Sequence, residues 1–520
     1  MLQRIVRHWS FGAAAALVLT LLGINLWYAS PFVRAWDEVD FVLAVERFDL
    51  LAMQPHFPGY PYFIAGAKLF HAWVTDPAKA MIAWNAVLAC SSAIPIALLA
   101  RRVVGLSSAG WAAAAVLSAP YLWLMGSRPM SECAGIAVLW WYLWSVKSAA
   151  ERPRSSVRLA ISILLFSVLM GIRLSYFPFG LALLLLLAFQ YRTDADKQMR
   201  FRRLTLAIAG AVGAQLIWIS GLVWSEGTLQ GFWTLSMAFV AGHFSEWGGG
   251  VASANVPIGT RFVVLVADHL IRDVWLSRSG ALGALYALLL ALTGYGIWRL
   301  GSSKRKAFVV LEQSKWLLVC LAVYAAWVLL GQNIEKPRHI APVAGPLLLV
   351  LYATAMKTAQ LLKYPPERSS DRTWNQAAAT AIQVAIAALI TVQTAVGAQM
   401  LKLQAEQRPA VYQMNDYLKA MEQPLVLYTW EESRVLGYLR AGYEHRKIYT
   451  YDYFLALANA GTGRRVFVTN HVRSGFMEQA AGSGSSFVPV ARFDSESLFD
   501  PVYSRITLYE WKKPEQELSN

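Results

Sequence analysis

Apolar runs of roughly 20 residues, bounded by short clusters of Lys and Arg, recur from Phe11 to Val396, and a run of that length crosses the ~30 Å hydrocarbon core of a bilayer as a helix. The composition agrees: 56% of the 520 residues are hydrophobic and only 15% are charged, whereas about a quarter of a soluble domain is charged. Water cannot be the solvent for that much apolar surface. A net charge of +15 would suit nucleic acid, but the Lys and Arg residues sit between the apolar runs and form no stripe interleaved with aromatics, so a nucleic-acid partner is excluded. Cys90, Cys133 and Cys320 fall in or beside the runs and suggest neither a disulfide framework nor a Cys-based metal site.

Basic residues near a span are retained on the cytoplasmic side of a membrane. The run Phe11 to Tyr28 follows Arg4 and Arg7 like a signal peptide, but Pro31 stands just after the small pair Ala29-Ser30 and should hinder cleavage, so it is read as a retained first helix. With that helix running outward, the spans Ala80 to Ala100, Leu106 to Leu124 and Pro129 to Val146 alternate around basic clusters. The short runs Leu159 to Ile172 and Phe177 to Phe189 read as a hairpin with Arg173 at its outer tip, because both far ends are strongly basic. Leu204 to Val223, Ala281 to Leu300, Trp316 to Leu330, Ile340 to Met356 and Ala377 to Val396 continue the alternation.

The expected fold class is therefore an α-helical polytopic membrane protein with about eleven transmembrane helices and a small C-terminal extracytoplasmic α/β domain. Residues 1–400 would form the membrane domain, with long external loops at 30–79 and 225–279, and residues 401–520 the α/β domain. Amphipathic stretches Phe41 to Leu51 and Phe262 to Trp275 suggest interfacial helices. In the C-terminal region, Leu425 to Thr429, Lys447 to Tyr451, Arg465 to Thr469 and Phe487 to Phe493 read as strands and Glu431 to Leu439 as a helix. The N-terminus is expected in the cytoplasm of a bacterial cell, with the protein integral to the plasma membrane.

The densest ionisable set directly follows the first helix: Asp37, Glu38 and Asp40. Three carboxylates within four residues repel one another, which raises a pKa unless a cation, a metal or backbone donors compensate, and such a site suits a general base. The same residues could instead cap a helix beginning near Phe41. The loop continues as Gln54-Pro55-His56-Phe57-Pro58-Gly59-Tyr60-Pro61, a rigid turn able to hold His56 and Tyr60 over the membrane surface, or simply a helix breaker. Outer-side cations oppose the charge bias: Arg128, Arg173, and the group Lys336-Pro337-Arg338-His339. Each is an exception paired with lipid headgroups or a partner for a phosphate. His243 and Glu246, with Asp268, His269 and Asp273, are the candidate metal ligands, in a spacing that amphipathic helices also produce.

In order of parts the sequence resembles the GT-C class of membrane glycosyltransferases, near the protein O-mannosyltransferases and the lipid A aminoarabinose transferases. A first outward helix leads to an acidic motif, Asp37-Glu38, in a long external loop. The segment His56-Phe57-Pro58-Gly59-Tyr60-Pro61 resembles a His-Pro-Pro-Gly-Tyr-Pro turn of a related family, with Phe57 in place of the first proline. Ser127-Arg128-Pro129-Met130-Ser131-Glu132 and Lys336-Pro337-Arg338-His339 resemble external motifs in which basic residues meet the donor's phosphate. The resemblance implies a polyprenyl-phosphate-linked sugar donor that enters from the outer leaflet, and within it Asp37 is the best candidate for the base, with Glu38 and Asp40 orienting Asp37, the acceptor or a metal.

The leading expectation is thus an inverting, lipid-phosphate-sugar-dependent glycosyltransferase of the cell envelope, acting on an acceptor hydroxyl that the sequence does not specify. No cofactor is required by this chemistry, although a divalent cation is compatible with the carboxylates. A transporter or lipid flippase is the alternative; such proteins commonly show internal repeats and mid-membrane charges, whereas here no repeat is evident and the charges gather at one face. An envelope scaffold would have no use for the Asp37 cluster.

Overall fold

Long apolar helices form where the hydropathy pattern places them. The structure, a computed structural model, describes residues 2–193, 196–247, 249, 251, 256–364, 372–461 and 463–513; part of the basic segment from Lys357 to Arg372 lies outside them. Among the described residues seven helices are long and apolar enough to cross a membrane: Pro77–Val104, Leu174–Thr193, Gln198–Glu226, Gly280–Arg299, Lys304–Gly331, Ala341–Lys363 and Arg372–Lys419. The remaining expected crossings are built differently. Leu106–Leu117 and Pro120–Gly126 are bent by 66° and count as an eighth span if taken together. Gly12–Trp27 and Ser156–Ile172 are shorter apolar helices, and Glu132–Ala150 carries both Glu132 and Lys147. By length and composition, seven of the described helices, or eight with the bent pair, are able to cross a membrane, and the expected count of about eleven is not confirmed by them.

The chain divides into two compact units, one of residues Met1–Ala29 and Ala44–Lys402, the other of Ser30–Leu43 and Leu403–Asn520. In the larger unit, Leu106–Leu117 buries Ala112 to Ala115 against helices Leu2–Trp27 and Ala93–Val104, small residues that let backbones approach closely in lipid. The bend after it follows from Pro120, which cannot donate to the preceding turn. The carbonyls freed there are satisfied internally, as lipid requires. Trp123 Nε1 donates to Leu117 O, and Asn25 Nδ2 donates to Trp123 O at 3.0 Å. Ser118 Oγ lies 2.9 Å from Gln393 Oε1, whose amide nitrogen donates to Tyr286 Oη at 2.7 Å. That buried network ties the bend to helices Gly280–Arg299 and Arg372–Glu406.

The smaller unit contains a five-stranded sheet of β1 (Leu425–Thr429), β2 (Glu444–Lys447), β3 (Arg465–Thr469), β4 (Phe487–Asp494) and β5 (Arg505–Trp511), in the order β2-β1-β3-β5-β4. β1 is parallel to both β2 and β3, pairing Leu427 with His445 and with Phe467. β5 runs antiparallel to β3 and β4. β1 is buried along its whole length, as expected of a central parallel strand. Val426, Tyr428, Val466 and Val468 pack with Phe454, Phe476, Phe487 and Trp511 into its core.

Two strands differ from expectation. Lys447 to Tyr451 is not the second strand: β2 ends at Lys447 because Tyr451 already opens helix Tyr451–Ala460. β5 was not expected at all. Its Arg505, Thr507 and Glu510 break the apolar run that a strand search seeks. The interfacial stretches also shift, to a helix at Trp36–Glu46, and to Ile258–Val263 continuing in π-helical form as Val264–Trp275.

Candidate functional site

The three carboxylates after the first helix belong to the smaller unit and are held in three different ways. Asp37 and Glu38 stand in the first turn of helix Trp36–Glu46, where the exposed amides of a helix N-terminus favour negative charge. Glu38 is fully buried, and its Oε2 accepts the Arg34 backbone N–H at 2.6 Å. Arg34 is fixed by hydrogen bonds from Nη2 to Ser30 Oγ at 2.9 Å and Gln404 O at 3.1 Å. Asp40, also fully buried, pairs with Arg434 Nε at 2.8 Å. Asp37 is half-buried. At the neighbouring Trp36, Lys447 Nζ lies 4.7 Å from the ring centre, with 4.4 Å to Trp430 and 5.0 Å to Tyr449, within the range of cation–π attraction. The mutual repulsion expected of this cluster is therefore answered by a backbone amide at Glu38 and by a guanidinium at Asp40.

In the larger unit, the proline-rich turn leads into helix Pro61–His71, with Tyr60 at its N-cap in left-handed conformation (φ 47°). Gly59 precedes it at φ 84°, and a Cβ there would come within 2.7 Å of Leu222, so this position requires glycine. His56 Nε2 lies 3.2 Å from Tyr60 Oη. Phe57 packs on Phe239 and Phe232, with ring centres 5.0 and 5.9 Å apart, so the residue that departs from the family turn has its own apolar seat.

Two of the three arginines singled out in the sequence converge on one acid. Arg173 interrupts the chain between helix Ser156–Ile172 and the turn Leu174–Phe179 with an extended backbone, at a helix C-terminus where a cation is favoured. Its Nη2 pairs with Glu132 Oε1 at 2.9 Å, and its Nη1 donates to Ser131 Oγ at 2.8 Å. Arg338, in the turn Pro337–His339, reaches the same Glu132 oxygen with Nε at 3.0 Å. Glu132 is 1% exposed and Arg173 7%. Among the described residues nothing accepts a hydrogen bond from the buried Arg173 Nε. Tyr60 lies within electrostatic reach of Arg173, and Tyr121 within reach of Arg128, Arg338, Glu132 and Asp273. Asn85 shapes the Arg128 turn by donating to Arg128 O at 3.1 Å and Met130 O at 2.8 Å.

The segment 225–279 supports this cluster. His269 donates Nε2–H to Ile334 O, pinning the loop that carries Lys336, Arg338 and His339. Tyr324 Oη donates to His339 O at 2.9 Å, and Lys336 and His339 are half-buried. Asp273 accepts from Arg278 Nε at 2.8 Å. Burial opposes its ionisation, but hydrogen bonds from His269 and the arginines outweigh it and hold its carboxyl at about 2. Arg261 caps helix Val309–Gly331 by donating to Leu329 O at 2.8 Å and Gln332 O at 2.7 Å. His243 bonds Gly331 O at 2.8 Å, which separates it in role from Glu246. Among the described residues no three His, Cys, Asp or Glu side chains gather as a metal cage. The sequence's candidate ligands do not form one.

A crystal structure of ArnT from Cupriavidus metallidurans in the apo state superposes on 96% of this chain and 98% of its own, with 12% sequence identity and a TM-score of 0.51. The chain has the GT-C-like fold of ArnT. ArnT bound to undecaprenyl phosphate aligns with a TM-score of 0.49 at 12% identity, over 96% of this chain and 97% of its own. The apo oligosaccharyltransferase of Archaeoglobus fulgidus also gives 0.49 at 12% identity, over 94% of this chain and 73% of its own. No protein-family model matches the sequence, and no curated protein matches it.

Within this GT-C-like fold, sequence reasoning singled out Arg173 and Arg338 but passed over the acid that joins them. Glu132 was visible as the one acid in Glu132–Ala150, whose other residues are apolar or small apart from Lys147. A lone carboxylate at the end of a membrane helix is costly without a partner. Ser131 carried no comparable signal.

Proposed function

We propose that the chain is an inverting glycosyltransferase that moves a sugar from a polyprenyl-phosphate carrier to an acceptor hydroxyl on the extracytoplasmic side of the membrane. The observation that carries this reading is the Arg173–Glu132–Arg338 cluster. Two guanidiniums face one buried carboxylate, and the buried Arg173 Nε lacks an acceptor among the described residues. A buried donor left unbonded costs about 1–3 kcal/mol, and a phosphate oxygen would satisfy it with charge-assisted geometry. The fold shared with ArnT, a protein crystallised with undecaprenyl phosphate, supports the same donor class.

In the reaction the acceptor oxygen forms a bond to the sugar's anomeric carbon as the bond from that carbon to the phosphate oxygen breaks. The electron pair leaves with the lipid phosphate, whose growing charge Arg173 and Arg338 stabilise, with Arg128 contributing long-range attraction. The acceptor's proton passes to Asp37, the one acid of its cluster that is only half-buried. Glu38 and Asp40 hold the segment through Arg34 and Arg434. His56 and Tyr60 orient the sugar. The test is to incubate the purified protein with a panel of polyprenyl-phosphate sugars and an acceptor extract: release of free lipid phosphate is expected, and its absence with every donor would leave the transporter alternative standing. The orientation is tested by a single cysteine at Ser433 in a background without the native cysteines, which should react with a membrane-impermeant reagent on intact cells.

A further inference from the structure

We propose that the smaller unit carries a subsite for an acidic saccharide, which serves as the acceptor of the transfer. Lys447 ends β2 and pairs in register with Thr429, the last residue of β1. Trp430 and Tyr449 follow those two strands, so both rings stand outside the carboxyl ends of parallel strands, where open α/β sheets bind ligands. The two rings meet edge to face, with centres 5.0 Å apart and planes at 78°. Trp36, at the start of helix Trp36–Glu46, supplies a third ring, and the Lys447 ammonium lies within cation–π range of all three. Among the described residues that ammonium has ring contacts but no hydrogen-bond acceptor and no ion pair. Neighbouring cations differ: Arg446 and Arg464 share Glu444, and Arg434, 5.6 Å from the Trp36 ring centre, pairs with Asp40.

Aromatic faces attract an ammonium without using up its N–H donors, so Lys447 is held in place with its hydrogen bonds still to give. The corner is also open: Tyr449 is 61% exposed, and Trp36, Trp430 and Lys447 are half-buried. A sugar ring bearing a carboxylate or a phosphate suits both features. Its partly positive C–H groups lie against the negative face of an aromatic ring, and its anion accepts charge-assisted bonds from the ammonium. A simple anion would leave the rings uncovered, a neutral sugar would leave the ammonium without a counter-charge, and a cationic ligand would be repelled by Lys447. Trp36 directly precedes Asp37, with Cα atoms ~3.8 Å apart, so a sugar held in this corner lies beside the residue next to the proposed base. The role as acceptor subsite rests on the transferase reading; the binding itself does not.

Saturation-transfer NMR of the full-length protein in detergent, titrated with glucuronic acid, a glucose monophosphate or glucose and with no lipid-phosphate donor present, tests it. At least one of the two acids should bind about fivefold more tightly than glucose, the scale of one partly exposed ion pair, and comparing them tells carboxylate from phosphate. Lys447→Gln should erase that preference, and Lys447→Arg should keep it. Tyr449→Ala, which trims an exposed ring and removes no charge, should weaken binding of the preferred acid. Lys419→Gln, at an exposed lysine of helix Ala410–Lys419, should leave binding at the wild-type level. Equal binding of glucose and both acids, a preference that survives Lys447→Gln, unchanged binding in Tyr449→Ala, or complete displacement of the sugar by equimolar inorganic phosphate would each overturn the proposal. Because no donor is present, such a result leaves the transfer reaction standing, whereas a failure to release lipid phosphate leaves the saccharide binding standing. Thermal unfolding of each sample confirms that the variant tested is folded.

Discussion

The membrane unit and the smaller unit both bury charge, but they compensate it in opposite proportions. In the membrane unit one carboxylate, Glu132, is shared by two guanidiniums, those of Arg173 and Arg338. In the smaller unit each fully buried acid has its own donor, the Arg34 backbone N–H for Glu38 and the Arg434 guanidinium for Asp40, and only the second of these is an ion pair. A balanced pair needs no ligand and serves to hold a segment in place. On the proposed function, the contrast separates a shared acid between two guanidiniums from a framework that would position Asp37.

The largest expected effect comes from removing the shared acid. Glu132→Gln leaves two neighbouring guanidiniums without their counter-charge, and losing one partner of a buried pair costs about 3–5 kcal/mol. The thermal midpoint in detergent should fall sharply, and Glu132→Gln/Arg173→Met should recover part of the loss. A midpoint like that of wild type would mean that Glu132 does not organise the cluster.

Donor recognition follows. Arg338→Ala should raise the KM for the lipid-phosphate sugar about tenfold or more, the scale of one charge-assisted hydrogen bond, while the KM for the acceptor stays near its wild-type value. Equal donor affinity in wild type and in Arg128→Ala, Arg173→Ala and Arg338→Ala would place the phosphate elsewhere.

A smaller effect sharpens the other side of the comparison. In the smaller unit His471 Nδ1 lies 2.8 Å from Glu432 Oε1. Burial works against its protonation, but the hydrogen bond and charge of Glu432 outweigh it and raise its pKa above 6.5. The contribution is therefore fully present below the unfolded value of 6.5 and is lost as pH rises through the higher folded value. The thermal midpoint of wild type should decline across that window relative to His471→Gln. Parallel pH profiles would remove His471 from the stabilising set.

Much of the membrane architecture was legible because apolar length is a direct physical requirement of a bilayer. Leu106 to Leu124 was read as one straight span because hydropathy does not register the break that Pro120 introduces. Crossings such as Ser156–Ile172 are too short to be identified by length alone. In the smaller unit Leu425–Thr429 and Arg465–Thr469 were recovered with their boundaries, since parallel central strands are uniformly apolar, whereas β5 was hidden by its polar residues. Arg173 and Arg338 were legible because they run against the charge bias. Their convergence on Glu132 was not, because residues 41 and 206 positions away in sequence are brought together only by helix packing.

The most direct measurement compares turnover of Asp37→Asn with wild type in the lipid-phosphate release assay, with Asp40→Asn measured alongside. Asp37→Asn keeps the side chain's size and removes its basicity, so turnover should fall about 100-fold or more while donor binding and the thermal midpoint persist. Asp40→Asn should show its main effect on the midpoint, through the broken pair with Arg434. Near-normal turnover in Asp37→Asn with a folded but inactive Asp40→Asn would move the base to Asp40, and full activity in both variants would contradict the proposed mechanism.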